Sequence, residues 1–307
     1  MEGLVMKSTG SWYIVRTEDG EMYRCRLRGK IKLKDLKVSN PIAVGDLVEF
    51  ELEEAGESTG AIHHIAEREN YIIRKSTHKT AHSHIIAANI DRALLVVTLV
   101  SPRTSFGFID RFLVTAEAYD IPVTLIYNKS DLYDPETAQY QNQILKMYDQ
   151  IGYSGIICST VSGQGISEIK ELLAGHKTLF SGHSGVGKST LINQLSPELE
   201  LKTSVISDYS DKGKHTTTYA EMFELAPDTY IIDTPGIKEL GLVDIPKEEL
   251  SYFFPEMRER LNQCKYYNCL HINEPGCAVL KDLKAGKISL TRYESYRSIM
   301  DETDNRR

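Results

Sequence analysis

Two periodicities divide the chain. Over the first seventy residues apolar and polar positions alternate in short runs, the period of strands with one buried face. Trp12-Tyr13-Ile14-Val15 is followed by Glu18-Asp19-Gly20-Glu21, a hairpin turn, and then by a long alternating run over 22–34. Further runs cover 47–52, after Val44-Gly45-Asp46, and 60–65. Several short strands with turn signals between them predict a small barrel of OB-fold size. The stretch 68–77 reads as a linker. From residue 88 apolar runs alternate with amphipathic ones, predicting strands at 92–100, 122–127, 155–158, 177–181 and 229–232 and helices at 109–119, 138–148 and 190–195. Parallel strands joined by helices make a doubly wound sheet, with ligands at the carboxyl ends of the strands. Beyond residue 245 short helices at 245–254 and 257–261 are predicted. One or two amphipathic helices then follow over 282–307, carrying Arg292, Tyr293, Tyr296 and Arg297.

Charge enters through the same alternation. Arg24, Arg26, Arg28, Lys30, Lys32 and Lys34 take every even position, and Cys25, Leu27, Ile31 and Leu33 take odd ones. Side chains two apart share a strand face, so an extended chain shows a row of cations on one side. A solubilising edge strand is one reading. Contact with a phosphate backbone is the favoured one, because no carboxylate interrupts the row. With few stacking aromatics nearby (Trp12, Tyr13, Tyr23), such contact would read little sequence. The overall charge of −7 argues weakly against a nucleic-acid partner unless the charge is unevenly spread, as it is here.

The candidate chemistry lies in the α/β region. Gly182-His183-Ser184-Gly185-Val186-Gly187-Lys188-Ser189, between a strand and a helix that continues at Thr190, is a phosphate-binding loop. Its glycines let backbone N–H groups wrap an anion at a helix N-terminus, Lys188 reaches the outer phosphates, and the Ser189 hydroxyl serves Mg²⁺. At the end of the strand over 122–127 stands Asn128-Lys129-Ser130-Asp131. The Asp131 carboxylate can accept from guanine N1–H and the 2-amino group together, which adenine cannot offer. Asn128 suits the far edge of the base and the Lys129 stem its face, while Ser159-Thr160 fits a backbone contact to guanine O6. After the strand over 229–232, Asp233-Thr234-Pro235-Gly236 places Asp233 to hold Mg²⁺ through water and the Gly236 N–H to sense the γ-phosphate. Within Gly213-Lys214-His215-Thr216-Thr217-Thr218, Thr217 is the expected second Mg²⁺ ligand, with Thr216 the alternative. Together these motifs specify a GTPase, in rotated order: the guanine motifs precede the phosphate loop. The segment after Asp233 therefore leads straight into the C-terminal region. Where signalling GTPases carry a glutamine to orient water, Ile237 follows the glycine, so intrinsic hydrolysis should be slow. His215 is the nearest polar substitute, its alternative being an ordinary surface histidine.

Five cysteines at irregular spacing, with no secretory signal, make no disulfide framework and point to a reducing cytoplasm. No stretch nears the ~20 apolar residues of a membrane span. Three cysteines cluster as Cys264-x₄-Cys269-x-His271-x₅-Cys277, a complete tetrahedral set and so a structural rather than catalytic zinc site. Buried free thiols beside an incidental histidine are the alternative. Cys25 and Cys158 sit in strand patterns and read as packing residues. His78, His82 and His84 have no cysteine or carboxylate among them and read as a mobile or RNA-facing loop, not a metal site.

The barrel, the rotated motifs, Gly213-Lys214-His215-Thr216-Thr217-Thr218 and the zinc cluster together resemble the ribosome small-subunit-dependent GTPase A family (RsgA or YjeQ), over essentially the whole chain. The resemblance implies a multidomain protein. An all-β OB-fold RNA-binding domain (1–70) precedes a circularly permuted α/β P-loop GTPase domain (71–244) and a mostly helical zinc-binding domain (245–307). It also implies a GTPase that binds the small ribosomal subunit late in its maturation, is stimulated by it and leaves after hydrolysis, with a catalytic role for His215. Ser159-Thr160 departs from the family's more usual Ser-Ala, of little consequence for a backbone contact. The expected partners are GTP or GDP and the small subunit with its rRNA, with no membrane, for a cytoplasmic monomer carrying one structural Zn²⁺ and Mg²⁺ with the nucleotide. Rival readings are a regulatory GTPase with a protein effector and a zinc-stabilised RNA binder whose nucleotide is structural.

Overall fold

The structure is a computed structural model that describes residues 1–29, 40–53, 58–74, 84–197, 220–233 and 245–304. Five strands, β1 (Glu2–Ser8), β2 (Tyr13–Arg16), β3 (Met22–Leu27), β4 (Leu47–Leu52) and β5 (Thr59–Ile65), close in the order β1-β2-β3-β5-β4-β1. All pairs are antiparallel except β3 with β5. The alternating apolar positions fill the interior: Val5, Tyr13, Val15, Cys25, Val48, Phe50 and Ile62 are buried together. Gly60 is required where β5 crosses them, since a Cβ there would lie 2.7 Å from the Phe50 ring. The OB-like barrel is therefore present.

The expected linker is partly structured. β6 (Tyr71–Arg74) and β7 (His84–Ala88) pair antiparallel, because Ile72, Ile73 and Ile85 have apolar surface to cover. The hairpin is fastened to the barrel. Arg68, just before it, donates to both Asp46 carboxylate oxygens (2.6 and 2.7 Å), and Asn89 Nδ2 donates to Gly45 O at 2.9 Å. The backbones approach closely enough that a Cβ on Gly45 would stand 2.1 Å from Ala88 O.

The α/β region comprises β8 (Arg92–Val97), α1 (Phe106–Ala118), β9 (Val123–Tyr127), α2 (Pro135–Asp149), β10 (Gly155–Ile157), α3 (Ile166–Leu173), β11 (Lys177–Ser181), α4 (Lys188–Leu195), β12 (Glu221–Ala226) and β13 (Thr229–Asp233). Its strands lie in the order β10-β9-β8-β11-β13-β12, parallel apart from the antiparallel β12. Apolar cores cover both faces of the sheet. At Lys7↔Glu221, β12 also pairs with β1, so barrel and α/β sheet are continuous, and the two side chains form an ion pair at 2.8 Å. Helices α1 and α2 start about a turn before the periodicity suggests. Caps set the starts: Ser105 accepts from Phe108 N, and Asp134 accepts from Thr137 N with Pro135 in the first turn.

In the C-terminal region the expected helix over 245–254 is a 3₁₀ turn at Leu250–Phe253, bracketed by Pro246 and Pro255. The expected 257–261 helix is replaced by α5 (Pro255–Arg258) and a second 3₁₀ turn at Leu261–Gln263. Then come α6 (Ala278–Lys284) and α7 (Leu290–Asp304). Their apolar residues share one core, which Val114 of α1 completes. No helix among the described residues is long and apolar enough to cross a membrane.

Candidate functional site

The phosphate-loop sequence joins β11 to α4 at the carboxyl end of the sheet. Gly182, Gly185 and Gly187 have φ of 148°, 83° and 94°, so the chain reverses where side chains are disfavoured. A Cβ at Gly182 would lie 2.4 Å from Val96 O, which presses the loop onto β8. Register pairs Asp233 with Phe180, at the mouth of the loop. Lys188 Nζ donates to Gly182 O at 2.7 Å and lies near His183 O at 3.4 Å. Burial lowers its pKa, against the charge of Asp233. Ser189 and Thr190 occupy the first turn of α4, at the N-terminus that such an anion nest needs.

The Asn128-Lys129-Ser130-Asp131 segment folds directly against this loop. Asn128 is fully buried and its Nδ2 donates to Val186 O at 2.8 Å. Lys129, in the left-handed region, donates from Nζ to Gly185 O (2.7 Å) and Ser101 O (2.5 Å). Asp131 is exposed and its carboxylate accepts from the Ser159 hydroxyl at 2.5 Å. That hydroxyl oxygen in turn accepts from Val161 N and Ser162 N (3.2 and 3.1 Å). Ser130 Oγ donates to Gln164 Oε1 at 2.9 Å, and Thr160 follows Ser159 in the same loop. All the expected guanine- and phosphate-reading residues that are described therefore converge.

Sequence reasoning missed the braces. The Tyr133 hydroxyl donates to Asn128 O and accepts from Leu99 N, each at 2.9 Å, a strut under the base-reading turn. Its signal was an aromatic hydroxyl two residues past Asp131. Phe108 in α1 stacks on His183 with ring centroids 3.6 Å apart, a pairing that nothing in either local sequence reports.

On the barrel, Arg24, Arg26 and Arg28 project outward as the alternation requires, and Arg24 lies 4.3 Å from the Trp12 ring centroid. The row is less purely cationic than its sequence. Arg26 pairs with Glu53 (2.7 Å) and Arg28 with Glu51 (2.8 Å), carboxylates brought in by β4 and the residue after it. Exposed pairs of this kind contribute about 0–1 kcal/mol, so an incoming phosphate can displace them.

Cys264, Cys269, His271 and Cys277 come together with their donor atoms all within 4.8 Å of one another. His271 Nδ1 lies 3.3 Å from Cys277 Sγ and 3.6 Å from Cys264 Sγ. Three sulfurs and one nitrogen at these separations fit a tetrahedral Zn²⁺. Burial holds the imidazole toward its neutral, ligating form, with the charge of Glu274 opposing. Without a cation, burial and then the neighbouring Cys277 and Cys264 sulfurs push the Cys269 thiol up to about 12. A bound cation would reverse that by displacing the protons. Two α6 N–H groups point at the sulfurs, Ala278 N at Cys264 and Leu280 N at Cys277, each at 3.4 Å. The Glu274 carboxylate accepts from Leu270, Ile272 and Asn273 N (2.8–3.0 Å), while Tyr293 and Tyr296 donate to His271 O and Leu270 O at 2.8 Å. Cys25 and Cys158 are buried packing thiols, as expected. Lys30, Lys32, Lys34, His78, His82, His215, Thr216, Thr217, Gly236 and Ile237 lie outside the described residues.

The model of the RsgA GTPase family matches residues 65–243, and that of the RsgA N-terminal domain matches 2–62. A protein of Cytophaga hutchinsonii named small ribosomal subunit biogenesis GTPase RsgA is 52% identical over 307 residues, covering 100% of both chains. One of the same name from Christiangramia forsetii is 51% identical over 309 residues, covering 100% of this chain and 98% of its own. Among solved structures, YjeQ from Thermotoga maritima superposes with a TM-score of 0.79 at 35% identity, over 100% of this chain and 99% of that one. YloQ, described as a circularly permuted GTPase, gives 0.74 at 31% identity, over 100% and 96%.

Proposed function

The chain belongs to the RsgA GTPase family and is a hydrolase acting on GTP, and from that premise we propose that it serves late maturation of the small (30S) ribosomal subunit, docking on its rRNA and turning over GTP faster when docked. Relatives carrying the small-subunit biogenesis name over their full length support the ribosomal half of this reading. The nucleotide half rests on one observation. The bonds from Asn128 and Lys129 to Val186 and Gly185 make the base-reading turn and the phosphate loop a single surface.

On that surface Asp131, oriented by Ser159, accepts from the guanine edge, while Asn128, Lys129, Ser130 and Thr160 frame the base. The loop over 182–187 wraps the phosphates, and Lys188 swings from Gly182 O to their outer oxygens. Ser189 in the first turn of α4 and Asp233 at the end of β13 offer hydroxyl and carboxylate oxygens, a donor set that suits a hard cation such as Mg²⁺. Thr217 is the proposed further ligand, and Gly236 the γ-phosphate sensor. When bound, Mg²⁺ neutralises charge developing on the phosphates. His215 is the proposed water-orienting residue in place of the glutamine that Ile237 replaces. Arg24, Arg26 and Arg28, continued by Lys30, Lys32 and Lys34, are the proposed rRNA contacts. The cluster is proposed to hold one structural Zn²⁺, in a cytoplasmic monomer divided at 1–70, 71–244 and 245–307.

GTP turnover with and without purified small subunits, at two salt concentrations, tests the proposal. A group completed in trans can raise such a rate by 10³–10⁵. The expected result is strong stimulation that fades with salt, since phosphate contacts release counterions. Turnover indifferent to subunits would contradict it and favour a protein effector. His215→Ala should lower the stimulated rate while sparing GTP affinity.

A further inference from the structure

Helix α1 has different jobs on its two sides. In its first turn Phe108 stacks on His183 of the phosphate loop, with the ring centroids 3.6 Å apart. The segment leading into the helix is tied to the same loop, because Lys129 Nζ bridges Ser101 O and Gly185 O. Two residues after Phe108, and so on another side of the helix, Asp110 is fully buried. It accepts from Tyr148 OH of α2 and from Arg292 of α7, each at 2.7 Å. Arg292 spends its other nitrogens on both oxygens of Glu256 (2.7 and 3.1 Å) and lies over the Phe254 ring, 4.6 Å from its centroid. Arg292, Glu256 and Asp110 are 1%, 5% and 0% exposed. One cation is thus shared between two carboxylates in a site closed to water. Such a joint has one well-defined geometry, and breaking it by removing one member leaves a buried charge uncompensated. One turn further, Val114 inserts into the apolar core of the C-terminal region.

We propose that α1 couples the C-terminal cluster domain to the nucleotide, with Arg292 and Phe108 as positioning residues for the phosphate loop. Arg292 sets where α1 stands through Asp110, and Phe108 passes that position to His183 and so to the backbone that wraps the phosphates. A change in how the C-terminal domain is seated alters nucleotide affinity, and nucleotide binding stiffens the C-terminal domain by the same factor. The polar joint explains why the seam carries a buried arginine where leucine would pack: it fixes register as well as contact.

The test uses the full-length, zinc-loaded protein with GDP. Phe108→Ala removes the contact at the loop. Asp110→Asn/Glu256→Gln/Arg292→Met removes the joint without stranding a charge. Three quantities are read: the ring-current shift of the His183 imidazole protons, GDP affinity, and amide hydrogen exchange in α7 with and without GDP. In wild type the His183 protons are shifted upfield, and GDP slows exchange in α7. In both variants the shift collapses, GDP affinity falls at least threefold, and GDP no longer protects α7. A triple variant that keeps the wild-type His183 shift and GDP affinity overturns the proposal, as does α7 exchange that ignores GDP in wild type. If the triple variant does not fold, the exchange arm in Phe108→Ala decides by itself. The inference rests on the loop holding the nucleotide. Failure of that reading is separately visible, as wild type that binds no GDP.

Discussion

Replacing Asn128 by Ala should weaken the protein's hold on phosphate as well as on guanine. The Asn128 amide is buried, and its Nδ2 donates to Val186 O at 2.8 Å inside the phosphate loop. It also lies under Gly187, where a Cβ would stand 2.5 Å from that nitrogen. Truncation strands the Val186 carbonyl in a buried position, a loss of about 1–3 kcal/mol. The free loop can relax to hydrate that carbonyl and must close again around a ligand, so the cost falls on binding, with an upper bound of roughly 5- to 150-fold in affinity at about 1.4 kcal/mol per decade. The assay is displacement of fluorescent GDP, first by GDP and then by inorganic tripolyphosphate, which has no base. Both affinities should fall in Asn128→Ala, while Asp131→Asn should lose GDP and keep tripolyphosphate. If Asn128→Ala weakens GDP but leaves tripolyphosphate within twofold, Asn128 acts on the base by itself, and the coupling of the two loops is refuted.

Three further outcomes follow from the same geometry. Ser159→Ala frees the Asp131 carboxylate from the hydroxyl that orients it and should weaken GTP about fivefold, the loss of ~1 kcal/mol, with no change for tripolyphosphate in the same displacement assay. Chelation should lower the melting temperature, and Zn²⁺ but not Mg²⁺ should restore it, because Cys264, Cys269, His271 and Cys277 offer sulfur and nitrogen and such sites are worth about 10–16 kcal/mol in small peptides. Glu274, despite the cost of its burial, is held below the ordinary carboxylate value of 4.5 by backbone N–H donors. Its contribution is therefore complete above that pH and lost as pH falls through the lowered value, so urea midpoints of wild type and Glu274→Gln should differ at neutral pH and converge in acid.

How much was legible depended on whether a feature is local. The outward face of Arg24, Arg26 and Arg28 follows from a two-residue period, and so does the burial of Cys25. Their pairing with Glu51 and Glu53 does not, since it needs the barrel closed to bring the β4 edge alongside. The strand before the phosphate loop was placed to the residue, because an apolar run meets a glycine at both chemical and geometric boundaries. The start of α1 was missed because Phe106-Gly107-Phe108 resembles a loop until Ser105 is seen to cap it. The role of Arg292 has no local signature, because its two carboxylate partners lie on α1 and α5, far away in sequence. The cysteine–histidine cluster was legible because four residues of the right kind fall within fourteen; Glu274, Tyr293 and Tyr296, which shape the loop that carries them, have no such signature.

In the proposed function one guanine nucleotide spans Asp131 and Lys188. The direct measurement is equilibrium competition of GTP and ATP for the site, in wild type and in Asp131→Asn. GTP should displace fluorescent GDP where a hundredfold excess of ATP does not. The variant should lose GTP by roughly 10- to 150-fold, the worth of a charged hydrogen-bonding group, and gain xanthosine triphosphate, whose 2-oxo group accepts from the new amide. ATP competing as well as GTP, or a variant that still prefers GTP, would contradict the account.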